Sequence, residues 1–140
     1  MKRSNACAWA TAIAIVVMAL GVVANEKPTA EFQSLMKSNG AANGAIRKAA
    51  PAKDYDGVAT SAATLKGNFA KIEAFFAAKK VDDAVTIAKA AAKAAADLEA
   101  AAKAKDDAVI DTASKAVGGA CMGCHTAHRE QLPDKTYEIK

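Results

Sequence analysis

The sequence predicts an all-α domain, an antiparallel up-down-up-down bundle of four helices, and three observations predict it. From Lys27 onward the chain is rich in Ala, with Leu, Lys, Glu and Met, residues that lose little on entering a helix. Its three prolines, Pro28, Pro51 and Pro133, all fall outside the helical runs. The breaks between those runs are only a few residues long, which forces consecutive helices to lie antiparallel.

The first segment stands apart from this pattern. Met1 to Ala24 reads as a secretory signal peptide: Lys2 and Arg3 form a positive n-region, Ala8 to Val23 is apolar, and Val22-Val23-Ala24 offers small residues before a cut ahead of Asn25. The apolar run is short for a membrane-spanning helix, which needs about 20 residues. Cleavage would leave residues 25–140 as one domain with no membrane anchor. It would remove Cys7 and two basic groups but no acidic one, taking the net charge from +4 to +2. A balance so close to neutral argues against nucleic acid as a partner, because phosphate binding demands a basic face.

Helix one is expected from about Thr29, an N-cap behind Pro28, to about Ala49, with Pro51 as the stop. The second is expected from about Asp54 to Lys79, carrying Leu65, Phe69, Ile72 and Phe76 at helical spacing. The third spans about Asp82 to Lys103, with Ile87, Ala91, Ala95 and Leu98 as its inner stripe. The fourth runs from near Asp106 to a point before Pro133, with Val109, Ala113 and Val117 inward. Asp82, Asp83, Asp106 and Asp107 fall in first turns, where a carboxylate suits the positive end of the helix dipole. The Ala-Lys pattern from Ala88 to Lys105 reads as a solvated Lys face opposite a slim Ala face that lets helices approach closely.

Cys121-Met122-Gly123-Cys124-His125 carries the chemistry. Cys-x-x-Cys-His is the attachment signature of a c-type haem. At about 100° per residue on a helix, Cys121, Cys124 and His125 share one face while Met122 and Gly123 point away. Two thiols would add to the haem vinyl groups as thioethers, and His125 would reach the iron as the proximal ligand. Three rival chemistries fit less well. A zinc site of Cys121, Cys124, His125 and His128 would need four tetrahedral ligands from eight consecutive residues. A thioredoxin-like pair would want a βαβ setting, and a disulfide within one helical turn would staple almost nothing. With Cys7 removed by export, a lone Cys pair remains where secretion would ordinarily bring disulfides. Aromatic residues make up only 5% of the chain, so the protein core is thin, and a buried haem would supply the missing apolar bulk. Phe69, Phe75, Phe76 and Tyr55 are candidate walls for it, although ordinary core packing is the plainer reading of each.

The iron's sixth position separates electron transfer from small-molecule binding. Downstream of the signal segment the methionines are Met36 and Met122. Met122 lies inside the attachment motif, which leaves Met36 as the candidate sixth iron ligand. If helices one and four are antiparallel neighbours, Met36 near the start of one and His125 near the end of the other meet at one height, at about 1.5 Å of rise per residue. Phe32, Gly40 and Asn43 lie along the Met36 stripe, and Gly40 would leave room for a flat macrocycle. The alternative is a flexible Met that packs near the haem without bonding it. His128, one turn past His125, would emerge on nearly the same side of the ring and reads as a surface or edge histidine.

With these residues in view, the chain resembles the class II cytochromes c, the four-helix cytochrome c-prime family and its six-coordinate relatives. Gln33-Ser34-Leu35-Met36-Lys37 is similar to that family's Arg-Gln-x-Leu-Met-Lys stretch, and the Cys121–His125 motif is followed four residues on by Arg129. Phe32 departs from the pattern, standing where many members have Arg, and puts a haem propionate contact from helix one in doubt. The resemblance implies one covalently attached haem c in a bacterial periplasmic protein and redox proteins of that compartment as partners; members of the family are often homodimers through their first two helices. It also implies two roles: electron carriers where a methionine is bonded at the Met36 position, nitric oxide or carbon monoxide binders where the site is vacant. The expectation is an electron-transfer cytochrome, not an enzyme, with Lys37, Lys115 and Lys135 able to ring the haem edge and steer an acidic partner. A five-coordinate gas-binding protein is the second reading, and a cofactor-free helical interaction module the third.

Overall fold

A computed structural model describes residues 25–140; Met1 to Ala24, read from sequence as a signal peptide, lie outside the described residues. Four helices account for most of the chain: α1 (Ala30–Ala49), α2 (Tyr55–Ala78), α3 (Asp82–Ala104) and α4 (Asp107–His128). Each start has a local cause. Thr29 Oγ1 accepts the Phe32 N–H at 3.2 Å, and Asp54 Oδ1 accepts the Gly57 N–H at 2.9 Å. Asp106 Oδ1 accepts the Val109 N–H at 3.1 Å, so three of the four N-termini carry a side-chain cap: Thr29 as the sequence predicts, Asp54 at the expected start, and Asp106 as a cap and not in the first turn.

Antiparallel order is visible in which residues meet. Phe32 of α1 packs on Phe75 of α2 with ring centroids 4.4 Å apart, and seven residues on, Asn39 meets Asn68, seven residues back. Between α2 and α3, Lys66 pairs with Glu99 at 2.6 Å and Glu73 with Lys89 at 3.8 Å. The end of α4 meets the start of α3 through His128 and Asp83. Close backbone packing joins α1 to α2, α2 to α3 and α3 to α4, but not α1 to α4. Helices one and four are therefore neighbours across a gap.

Leu65, Phe69, Ile72 and Phe76 of α2 are all buried, as are Ala91, Ala95 and Leu98 of α3 and Ala113 and Val117 of α4. Apart from Leu98, every buried residue of α3 is alanine, and this slim surface lets its neighbours approach closely. Two inward assignments shift. Val109 is 44% exposed while Ile110 is buried: positions three and four residues before Ala113 both suit the stripe, and it is Ile110 that lies beside Ile46 of α1 while Val109 stays on the outer groove between α3 and α4. Ile87 is half-buried at a cavity wall instead of in the core.

The larger correction is at the C-terminus. α4 ends at His128, five residues short of Pro133, and Arg129–Gln131 (β1) pairs antiparallel with Tyr137–Ile139 (β2). The Glu26 N–H donates to the Ile139 carbonyl at 2.9 Å and the Ile139 N–H to the Glu26 carbonyl at 2.8 Å, tying the start of the described chain to its end. A helix continued past His128 would leave these groups to water and Ile139 exposed; the hairpin buries Ile139 to 8% exposure.

Backbone strain sits in the connections. Lys53, Lys80, Lys105 and Lys135 adopt φ between 56° and 69°, whereas none of the described glycines has a positive φ. Lys105 is the left-handed C-cap of α3, a position that ordinarily favours glycine. Lys105→Gly is expected to stabilise the fold by about 1 kcal/mol, net of glycine's greater unfolded-state entropy. A thermal or urea midpoint at or below that of the parent would contradict it.

Glu99 carries the largest surface electrostatic effect. Hydrogen bonds from Lys103 and Lys66, both at 2.6 Å, pull its carboxyl down to about 2 from the usual carboxylate value. A carboxyl depressed in the fold adds stability that is complete above its unfolded pKa, near 4.3, and is lost as pH falls towards about 2. Glu99→Gln is expected to flatten the pH dependence of the melting temperature across that window, the exposed lysines keeping the effect modest.

Candidate functional site

The gap between α1 and α4 holds two adjoining cavities. The outer one, of about 320 Å³, is walled by Phe32, Met36, Phe76, Cys124, His125 and His128, and is closed by Arg129, Tyr137, Glu138 and Ile139 of the hairpin. The inner one, of about 140 Å³, reaches the middle of the bundle between Met36, Asn39, Gly40 and Asn43 of α1, Phe69 and Ile72 of α2, Ile87 of α3, and Cys121, Cys124 and His125 of α4. Met36, Cys124 and His125 line both, and Cys121 lines the inner one. All four residues singled out from sequence thus lie on one connected space, with Met36 on α1 and the other three on α4.

Helix geometry explains the α4 contribution. The thiols and the imidazole lie on the inward face near its C-terminal end, while Met122 is 65% exposed on the outer face. Burial pushes both thiols up from their ordinary value, Cys124 further raised by Cys121 and Asp83. They are neutral thiols at neutral pH, free of a disulfide. Burial, and after it the Arg129 guanidinium, lower the pKa of His125 and favour the neutral imidazole, the form that binds metal. Among the described residues no three His, Cys, Asp or Glu side chains are grouped as a metal cage.

His128 is not at the surface. It is 8% exposed, its ring centroid lies 5.7 Å from that of Phe76, and its Nε2 stands 3.0 Å from Asp83 Oδ2, misaligned for a directed hydrogen bond. Its Nε2 is turned towards Asp83 of α3, while the ring still borders the outer cavity that Cys124 and His125 line. Arg129 lines the outer cavity and stacks on Tyr137 with its guanidinium carbon 4.5 Å from the ring centroid.

The proposed aromatic walls divide. Phe69 faces the inner cavity and Phe76 the outer, whereas Phe75 packs on Phe32 and faces outward. Tyr55 is at the far end of α2, where its hydroxyl donates to Asp107 at 3.0 Å, and takes no part. Of the three lysines, Lys37 stands on the outer cavity and Lys135 in the hairpin turn. Lys115 lies on the exposed side of α4, paired with Asp111 at 2.7 Å.

No family model matches the chain, and no curated protein matches it. Among the described residues no helix is long and apolar enough to cross a membrane.

Sequence reasoning passed over Asn39 and the Tyr137–Ile139 strand. Both left a signal. Asn39 is three residues from Met36 on the same helix face, and Tyr137-Glu138-Ile139 alternates apolar and polar after the turn residues Pro133-Asp134. The residues fit a haem: two unpaired thiols, a neutral imidazole and a thioether surround a mostly apolar space.

Proposed function

We propose that this chain is an exported monohaem c-type cytochrome that carries single electrons in the periplasm and performs no reaction of its own on a substrate. Cys121 and Cys124 would hold the haem as thioethers, His125 would be the proximal ligand and Met36 the sixth. The observation that carries this reading is the shared position of Met36 and His125 on both cavities, on opposite sides of the α1–α4 gap. A bound haem supplies a metal centre that alternates between ferric and ferrous states; the chain supplies orientation, burial and electrostatics.

Within that division, α4 presents the two thiols and the imidazole in one register, and α1 brings the thioether towards them from across the gap. Ligation by one His and one Met raises the reduction potential. Phe32, Phe69, Ile72 and Phe76 exclude water from the interior, and the hairpin leaves Lys37 and Arg129 at the rim where a partner would approach.

The test is a ferric spectrum of protein matured with a c-haem attachment system. A low-spin spectrum with a Met-to-iron charge-transfer band is expected, and a high-spin one overturns the electron-carrier reading. In its place it would support the five-coordinate nitric oxide or carbon monoxide binder, which the open space beside Gly40 favours. A colourless, folded product would establish a cofactor-free helical module.

A further inference from the structure

The two cavities share walls but differ in charge. No Lys or Arg lines the inner one, whose polar side chains, apart from His125 and the thiols, are the amides of Asn39 and Asn43. The outer one has Lys37 on α1 and Arg129 at the start of β1. Among the described residues neither cation is within ion-pair distance of a carboxylate. A haem has the same asymmetry. One edge carries the vinyl groups that the two thiols would take, and the opposite edge carries two propionates, carboxylates that an apolar surround disfavours unless a cation stands beside them.

The hairpin separates the two cations. Its register pairs Arg129 with Ile139 and Gln131 with Tyr137, so these four side chains share one face, and strand alternation gives the other face to Glu130 and Glu138. The first face is the cavity side, because Ile139 is buried there. Glu138 also borders the outer cavity, but alternation sets its carboxylate beside Glu130 on the far face. The near face is left with a cation and no carboxylate. Tyr137 supports that cation: the guanidinium carbon lies 4.5 Å from its ring centroid, and its hydroxyl accepts from Gln131 Nε2 at 3.1 Å. After burial, the charge of Arg129 is what lowers the pKa of His125, so the guanidinium acts within reach of the imidazole. Lys37 is exposed and has no such platform.

The geometry points to Arg129, stacked on Tyr137, as a positioning residue for the haem, its guanidinium donating to a propionate in the outer cavity. The inference rests on the proposed haem attachment and not on the sixth ligand, so it is independent of the bond to Met36. An Arg fork matches a carboxylate with two parallel N–H donors, whereas a Lys offers a point charge on a flexible stem. Arg129 therefore fixes the propionate edge, and Lys37 adds charge at the rim. A cation beside the propionate also offsets negative charge that favours ferric iron, which raises the reduction potential.

The experiment uses the matured holoprotein and compares the parent with Arg129→Ala, Arg129→Lys, Tyr137→Leu and Lys37→Gln. Two quantities are read: the propionate bending band of the resonance Raman spectrum, which moves to lower frequency when the carboxylate loses a hydrogen-bond donor, and the midpoint potential. Arg129→Ala is expected to lower both. Arg129→Lys keeps the charge and loses the fork, so the potential is expected to return towards that of the parent while the band stays shifted; this variant stands in if the Ala variant fails to fold. Tyr137→Leu keeps Arg129 but removes its platform, and a smaller shift of the band in the same direction is expected. Lys37→Gln is expected to leave the band in place. A coloured parent whose Arg129 variants keep its band, and lose only melting temperature, overturns the inference alone and makes Arg129 a residue of the hairpin. A colourless parent overturns the haem reading and this inference with it.

Discussion

Met36→Ala is expected to convert the ferric haem from low spin to high spin, lower its potential, and open a carbon monoxide site that the parent resists. Met36 and His125 line both cavities from opposite helices, and loss of the sulfur removes the one thioether in that space able to complete the coordination. Alanine leaves α1 intact, because it is the best helix former and the neighbouring turns are untouched. On the proposed reading haem attachment would survive, since it would depend on Cys121 and Cys124. If Met36 serves only as packing, the substitution leaves the spectrum alone and costs about 2 kcal/mol or less, the low end for a Met→Ala change at a half-buried position. An unchanged spectrum alongside a lowered melting temperature would therefore remove Met36 from the coordination sphere.

Deletion of residues 137–140 is expected to lower stability by about 3 kcal/mol and to open the outer cavity. The loss combines the burial of Ile139, about 1.5–3 kcal/mol for a full-sized aliphatic side chain, with backbone hydrogen bonds to β1 and Glu26 worth about 1 kcal/mol each net. Part of this is regained as the freed ends fray into water. Removal of Tyr137 also takes away the ring on which Arg129 lies. The measurements are thermal unfolding and protease sensitivity of residues 129–136. Glu26→Pro, which removes the N–H that Ile139 accepts, acts in the same direction with a smaller effect. If the shortened chain melts with the parent and resists protease equally, the hairpin is not a wall of the site.

Several parts of the molecule were determined by sequence alone because their causes are local. The α2 stripe Leu65, Phe69, Ile72 and Phe76 repeats at helical spacing, and Thr29, Asp54 and Asp106 cap the N–H groups three residues on. A Cys-x-x-Cys-His run on a helix places two thiols and an imidazole together, whatever surrounds it. That Met36 and His125 would stand on one space was also legible, because short connections leave α1 and α4 antiparallel and at one level.

Tertiary structure decided the rest, where the outcome depends on what a segment meets. Val109 and Ile110 are equally good inner residues until packing buries Ile110 beside Ile46 of α1 and leaves Val109 on the outer groove. His128 reads as an edge residue until Phe76 and Asp83 enclose it. Helix-forming residues run on past His128, yet the chain turns into strands there, because Glu26 and the far side of the hairpin offer backbone partners and burial that a continued helix would forgo. The buried Asn39 is likewise held from outside its own helix: its amide oxygen accepts from Asn68 on α2, a partner that α1 alone does not reveal. Local hydrogen bonding and periodicity are properties of the sequence, while the choice between two locally acceptable faces is made by the element packed against them.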